Sequence, residues 1–373
     1  MSKLFESTKI GNMTLANRFV RSATWEGLAS PDGAVTRELK NVMTTLAKGG
    51  VGLIISGHTY IRPEGQAGPN QMGVYKDELI PGLREMADAV HDNGGKIVLQ
   101  MAHAGNFASE QFVKEPPWVP SLYEGLAKLP RKEMSRDDIS ALIFSFADAA
   151  RRAKEAGFDG VQIHSAHGYL LSQFLSPIFN RRRDEYGGDI RNRCRIHVEI
   201  CKAIREAVGS DFPLLIKLNC RDFAENGLET EDSLAAGKML AEAGIDSIEL
   251  SGGLLTNAKL SPSRMAIKSP DKEAYFKEDA LRFRQEVPVP LILVGGMRSF
   301  EKAEEMVETG VADYISMSRP FIREPNLIQR WKEGDRRKAE CVSDNLCFRP
   351  GFEGKGVYCV TREREKAKKA DAV

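Results

Sequence analysis

The sequence predicts an α/β fold: a closed TIM (β/α)8 barrel of parallel strands with extended strand-to-helix loops. Three observations carry that prediction. Short apolar runs followed by helical stretches recur eight times along the chain, and eight such units are the number that closes a barrel. The runs are continuously apolar and bounded by glycine, the pattern of strands covered on both faces. No G-x-G-x-x-G follows the first strand, which disfavours the alternative, a doubly wound open sheet.

In order, residues 17–24 read as the first strand, and 35–48 as a helix stopped by Gly49-Gly50. Residues 51–56 form the second strand, 80–93 its helix closed by Gly94-Gly95, and 96–101 the third strand. The stretch 102–136 is proline-bearing and aperiodic; a loop of that length inside a compact domain is usually functional. Ser135-Arg136-Asp137-Asp138 signals the start of a long amphipathic helix that ends at Gly157. The alternation continues with strands at 161–164, 214–218, 247–250, 291–294 and 314–317. Their helices are expected at 193–208, 230–243 (with Thr230 as N-cap), 278–286, 299–309 and 326–333. This places one barrel domain at residues 1–335. Residues 336–373 form a C-terminal segment, packed on the barrel or flexible.

Composition narrows the function. With 53 basic and 52 acidic residues the formal net charge is +1, so no strong field favours nucleic acid or an anionic membrane. No apolar run reaches the ~18–20 residues of a membrane span, and the start lacks a signal-peptide apolar core. A cytoplasmic location is expected. Six cysteines in 373 residues do not make a disulfide scaffold.

In a barrel every loop that follows a strand opens on one mouth, so strand ends can be read together. The densest chemistry lies in His164-Ser165-Ala166-His167-Gly168-Tyr169, where two of the six histidines and a phenol fall at the end of the fourth strand. One such histidine would ordinarily end a strand or cap a turn. Two imidazoles three residues apart, with Tyr169, can instead aim donors at one oxygen. The other strand ends supply Ser22, Ala23, Thr24 and Trp25, then His58, Gln100 and Lys217. Glycines at Gly252-Gly253 and Gly295-Gly296, followed by Ser318-Arg319, permit backbone approach to a phosphate at the loops after the last strands. A phosphate anchor with an amide (Gln100) and a cation (Lys217) suits a phosphorylated ring cofactor.

These residues resemble the old yellow enzyme family of FMN-dependent NAD(P)H oxidoreductases. The resemblance runs from Leu15-Ala16-Asn17-Arg18 through Gln100-Met101-Ala102-His103-Ala104-Gly105 and His164–Pro177 to Asn180-Arg181-Arg182-Arg183-Asp184-Glu185-Tyr186-Gly187-Gly188. Val294-Gly295-Gly296 and Ser318-Arg319-Pro320 complete it. It implies FMN at the barrel mouth, touched by Ser22–Trp25, His58, Gln100, Lys217, Gly295, Gly296, Ser318 and Arg319. NAD(P)H would be a transient hydride donor. His164 and His167 would bind the activating oxygen of an enone or enoyl-thioester, and Tyr169 would donate a proton. No nucleic-acid or membrane partner is expected, and a homo-oligomer is.

The chain departs from the family pattern in places. Trp25 stands where a small or hydroxyl residue commonly meets the flavin, Gly27 falls near a usual substrate-side tyrosine, and Lys217 replaces an arginine without its bidentate fork. Cys341, Asp344, Cys347 and Cys359 resemble a C-x2-C-N-x-C iron–sulfur segment of larger relatives, with Asp344 in place of one thiolate. An oxygen ligand is mismatched to that site, so a remnant without a cluster is expected. Two other functions fit less well: an amine dehydrogenase or N-demethylase of the trimethylamine dehydrogenase type, and a flavin- or phosphosugar-binding barrel without redox turnover.

Overall fold

The computed structural model describes residues 2–109, 111–122 and 130–371. Eight strands form the barrel: β1 Phe19–Arg21, β2 Leu53–Ile55, β3 Ile97–Ala102, β4 Gly160–Ser165, β5 Leu214–Asn219, β6 Ser247–Ser251, β7 Leu291–Val294 and β8 Tyr314–Met317. Each pairs in parallel with its neighbours in chain order, and β8 pairs with β1 through Ile315 opposite Phe19. That last pairing closes the sheet and leaves the barrel without an edge. The expected architecture is therefore the observed one.

Around the barrel lie α1 Arg37–Lys48, α2 Ile80–His91, α3 Arg136–Glu155, α4 Ile190–Val208, α5 Thr230–Glu242, α6 Lys277–Glu286, α7 Phe300–Glu308 and α8 Leu327–Lys332. Helix starts follow local chemistry. The Thr36 hydroxyl accepts from Leu39 N at the start of α1. Ser135 and Asp138 form a reciprocal capping box at α3, and Asp189 caps α4 three residues earlier than periodicity suggested. Thr230 departs from expectation. Glu229 holds the cap position in extended backbone, and Thr230 is the first helical residue. Its hydroxyl donates to Asp279 of α6 at 2.9 Å, so a contact between helices has outcompeted the local cap.

The first strand is shorter than expected, because residues 22–25 leave the sheet and turn over the mouth. At the opposite end a hairpin, Thr8–Ile10 with Met13–Leu15, was not foreseen. Its Ile10, Met13 and Leu15 pack with Val20, Leu53, Ile55, Val98, Leu215 and Ile292 inside the barrel. A plug there removes apolar surface that water would otherwise wet. The Tyr314 hydroxyl donates to Lys9 O at 2.6 Å and ties the hairpin to β8.

The expected long loop includes short parallel strands, Trp118–Val119 and Lys132–Glu133; its residues 110 and 123–129 lie outside the described residues. The C-terminal segment packs on the barrel: Val357 N donates to Glu26 O at 2.7 Å and Ala339 N to Arg298 O at 2.8 Å. It ends in α9 Val360–Ala370.

The junction of α1 and β2 is sterically tight. A Cβ on Gly49 would lie 2.0 Å from the carbonyl oxygen of Pro325, so backbone would have to move. Gly49→Ala is expected to lower stability by about 1–3 kcal/mol, as overpacking does. Chemical denaturation with an unchanged midpoint would contradict that packing.

Candidate active site

The site is built where the strands run out. Arg21, the last residue of β1, is held by Glu26 at 2.6 Å and by Ile55 O at 2.7 Å. This buried pair pins the turn that carries Ser22, Ala23, Thr24 and Trp25. Thr24 and Ser318 share a hydrogen bond of 2.7 Å between their hydroxyls. The Trp25 indole donates to Pro69 O, and its ring lies 4.8 Å from Phe352 of the C-terminal segment.

A cavity of about 170 Å³ opens over these strand ends. Ser22, Ala23, Thr24, Trp25, His58, Gln100, His164, His167, Tyr169, Lys217 and Ser318 all line it, so most of the expected site residues are brought together. A second cleft of about 40 Å³ adjoins it between the ends of β7 and β8, lined by Gly296, Ser318 and Arg319. The two share Pro262, Ser263, Val294 and Ser318. Gly295 does not line either. Its backbone is left-handed with φ +142°, and a Cβ there would lie 3.2 Å from Phe276 and 3.3 Å from Tyr275. A larger cavity of about 250 Å³ lies across the Thr24–Trp25 turn, between α1 and the C-terminal segment. It presents no imidazole and holds none of the convergent donors.

The imidazoles are set individually. His167 adopts the left-handed conformation, φ +64°, at a cost of the order of 1 kcal/mol for a non-glycine residue. Asn219 offsets that strain by accepting its backbone N–H at 3.0 Å, while Ser251 Oγ meets its Nε2 at 2.7 Å. Gln71 donates to His58 Nδ1 at 2.8 Å, which leaves Nε2 of that ring to carry the proton. His164 is 4% exposed, and its Nδ1 is buried without a partner among the described residues. Its ring stands 5.3 Å from His167 and 4.8 Å from Tyr169.

Burial, then the nearby His167, His58 and Lys217, holds His164 well below the usual imidazole range. Burial does the same to His167, reinforced by Lys217 and His58, and pushes His58 down to about 4. The Tyr169 phenol is pushed up by burial. At neutral pH the cluster therefore holds neutral N–H and O–H groups rather than charges.

Beneath the cavity is a polar network that the strand pattern did not disclose. Lys217 Nζ lies 3.0 Å from Glu249 Oε1 and donates to Ser22 Oγ at 2.7 Å. Glu249 also accepts from Ser22, Ser316 and Gln162, and Gln162 accepts from Gln100 at 2.6 Å. Gln162 and Glu249 sit in mid-strand among apolar neighbours. A polar residue interrupting an otherwise apolar barrel strand was the available signal. Asn219 and the C-terminal Phe348, which also lines the cavity, were missed as well.

A model of the NADH:flavin oxidoreductase / NADH oxidase family matches residues 3–338. The chain belongs to this family. It is 36% identical over 352 residues to the NADH oxidase of Thermoanaerobacter brockii, covering 92% of this chain and 53% of that protein. It is 37% identical over 324 residues to the NADPH dehydrogenase of Geobacillus sp. (strain WCH70), covering 86% and 91%. Among solved structures, a 2-naphthoyl-CoA reductase in complex with 2-naphthoyl-CoA superposes with TM-score 0.88 at 28% identity over 96% of this chain and 56% of its own. The old yellow enzyme homologue from Zymomonas mobilis superposes with TM-score 0.78 at 28% identity, covering 96% and 98%. The chain thus spans about half the length of the first of these relatives and of the first of these structures.

The family's FMN fits the residues present. The 170 Å³ cavity is lined by an amide and a cation, Gln100 and Lys217, and joins a cleft lined by Arg298, Arg319 and Gly296. Arg319 is itself oriented by the C-terminal segment, donating to Asn345 Oδ1 at 2.6 Å. The cysteine segment fits an iron–sulfur cluster less well. Asp344 accepts from the Thr361 hydroxyl at 2.5 Å and from Leu346 N, and Cys359 Sγ accepts from Arg362 N at the start of α9. Burial raises the Cys341 thiol, and pushes that of Cys347 up to about 12. Among the described residues no group of three or more His, Cys, Asp and Glu is placed to hold a metal ion.

The suppressed imidazoles have a consequence for stability. His103, His164 and His197 are 2%, 4% and 0% exposed, and burial pushes His103 and His197 down to about 3. Unfolding lets each take a proton below about pH 6.5 that the folded chain refuses. Stability is therefore expected to fall as pH drops from 7 to 5, by about 1.4 kcal/mol per pH unit for each buried ring once below 6.5. Urea midpoints across that range check it, and His197→Gln should flatten the fall by one proton's share.

Proposed function

We propose that the chain is an FMN-dependent NAD(P)H oxidoreductase that reduces the C=C bond of an α,β-unsaturated carbonyl compound, either an enone or an enoyl-thioester. The observation that carries this reading is the His164 ring, whose buried Nδ1 has no partner among the described residues, beside His167 and Tyr169 in the cavity that Gln100 and Lys217 also line. Bound FMN would accept hydride from NAD(P)H and deliver it to the alkene's β-carbon. Gln100 and Lys217 would face its polar ring edge, and Arg319 with the Gly296 backbone its phosphate.

The chain's own contribution is at the substrate oxygen. A neutral imidazole still has one N–H to donate to a developing oxyanion. His164 and His167 would meet the oxyanion that grows as the β-carbon takes hydride, each worth about 2.7–4 kcal/mol in the transition state. Tyr169 keeps its proton, because burial disfavours the phenolate, and can pass it to the α-carbon. Support also comes from the thioester held by the 2-naphthoyl-CoA reductase neighbour.

His164→Ala and His167→Ala should each slow reoxidation of the reduced enzyme by an enone about a hundredfold or more. Reduction by NAD(P)H should change much less, since it develops no oxyanion. The two effects should not add, because both donors serve one oxygen, and Tyr169→Phe should fall between. Rapid-reaction kinetics of the separate half-reactions decide this. Equal slowing of both halves would assign the histidines to holding the cofactor or the fold. A tertiary amine that reduces the enzyme faster than NAD(P)H would replace alkene reduction with amine oxidation.

For the C-terminal cysteines the proposal is a remnant whose Asp344 now fastens α9 through Thr361. Cys341→Ser should leave flavin content and enone turnover nearly unchanged. Stoichiometric iron and acid-labile sulfide in anaerobically purified protein, lost in that variant, would overturn it.

A further inference from the structure

The cation beneath the cofactor pocket is not free. Lys217 and Glu249 are 4% and 0% exposed in their side chains and 3.0 Å apart. They lie directly opposite one another in the register of β5 and β6. Of the two, Lys217 lines the cavity and Glu249 does not. Every polar contact of that carboxylate is engaged. Oε1 takes Lys217, Ser22 at 2.7 Å and Ser316 at 2.8 Å, and Oε2 takes Gln162 at 3.1 Å. Burial raises the Glu249 carboxyl, but Lys217 and these donors outweigh it, so the group stays ionised.

A buried ion pair is a poor device for stability. Its desolvation offsets its Coulomb gain, and well-packed apolar residues of similar volume commonly do as well or better. The pair's position suggests another use. We propose that Glu249 is a positioning residue that neutralises Lys217 beneath the flavin, and thereby holds the reduction potential of bound FMN lower than an unpaired lysine would.

This rests on the reading of the cavity as an FMN site. Hydride from NAD(P)H would bring two electrons and one proton together, so reduction would leave one negative charge on the ring. A lone ammonium in a dry site would stabilise that charge strongly, whereas an ammonium paired at 3.0 Å presents a dipole whose field falls off faster. A lower potential favours passing hydride on to an acceptor over retaining it.

The test compares wild type, Lys217→Met, Glu249→Gln and the double variant. FMN occupancy is read from absorbance, and the midpoint potential by equilibration with a reference dye at pH 7. Glu249→Gln should raise the equilibrium constant for reduction about tenfold, or 29.6 mV for a two-electron couple. Lys217→Met should lower it by a similar factor, and the double variant should return to within about threefold of wild type. If Glu249→Gln fails to fold, the double variant carries the test, since it leaves no buried charge unpaired. A double variant as low as Lys217→Met, or an unmoved potential in flavin-loaded Glu249→Gln, would overturn the proposal while leaving the FMN reading intact. A wild-type protein that takes up no FMN would overturn both.

Discussion

An ammonium and a carboxylate with two carboxamides cannot sit inside a β-barrel unless each is partnered, and that constraint organises this molecule. Gln100, Gln162, Glu249, Lys217, Ser22 and Ser316 come from β3, β4, β6, β5, the end of β1 and β8. Their bonds stitch six of eight strands together at one level. A shift of one residue in any strand would turn its polar group outward and leave a partner buried and unsatisfied. The register that places Lys217 against Glu249 and Gln100 against Gln162 is therefore also what brings the loops above into position. Below this level the barrel is apolar and plugged by the N-terminal hairpin; above it the strands end in the imidazoles and the glycine-bearing loops.

The eight strand-and-helix units were legible because each carries a local signal. The apolar runs and glycine stops mark the strands, and Ser135 with Asp138 marks a helix start. What was hidden depends on partners far along the chain. Thr230 looks like a cap until Asp279 offers its hydroxyl a better acceptor. Gln162 and Glu249 were passed over because a strand covered on both faces has no alternation to say which side chain points inward. The hairpin at 8–15 carries too few residues for a periodic signal, and its role comes from the cavity it fills.

The site was legible in the same uneven way. His164, His167 and Tyr169 announced themselves by proximity in sequence, and the cavity gathers them with Ser22–Trp25, His58, Gln100, Lys217 and Ser318. What orients them did not show. His167 depends on Asn219 and Ser251 from two other strands, and His58 on Gln71. Gly295 looked like a phosphate approach, yet its lack of a side chain makes room for Phe276 and Tyr275. Gly296, which does line the smaller cleft, is packed more tightly still, since a Cβ there would lie 2.8 Å from Tyr275.

The C-terminal segment changes how the pocket comes into being. Phe348 walls the cavity and Asn345 orients Arg319, although both lie beyond the last barrel strand. The first strand also cannot close against β8 until residues 314–317 have been made. During synthesis, then, the emerging chain has no finished cofactor pocket, however many of its strands have already paired. Capture of a ring cofactor by a pocket with all its walls must therefore wait until about residue 348 has cleared the ribosome.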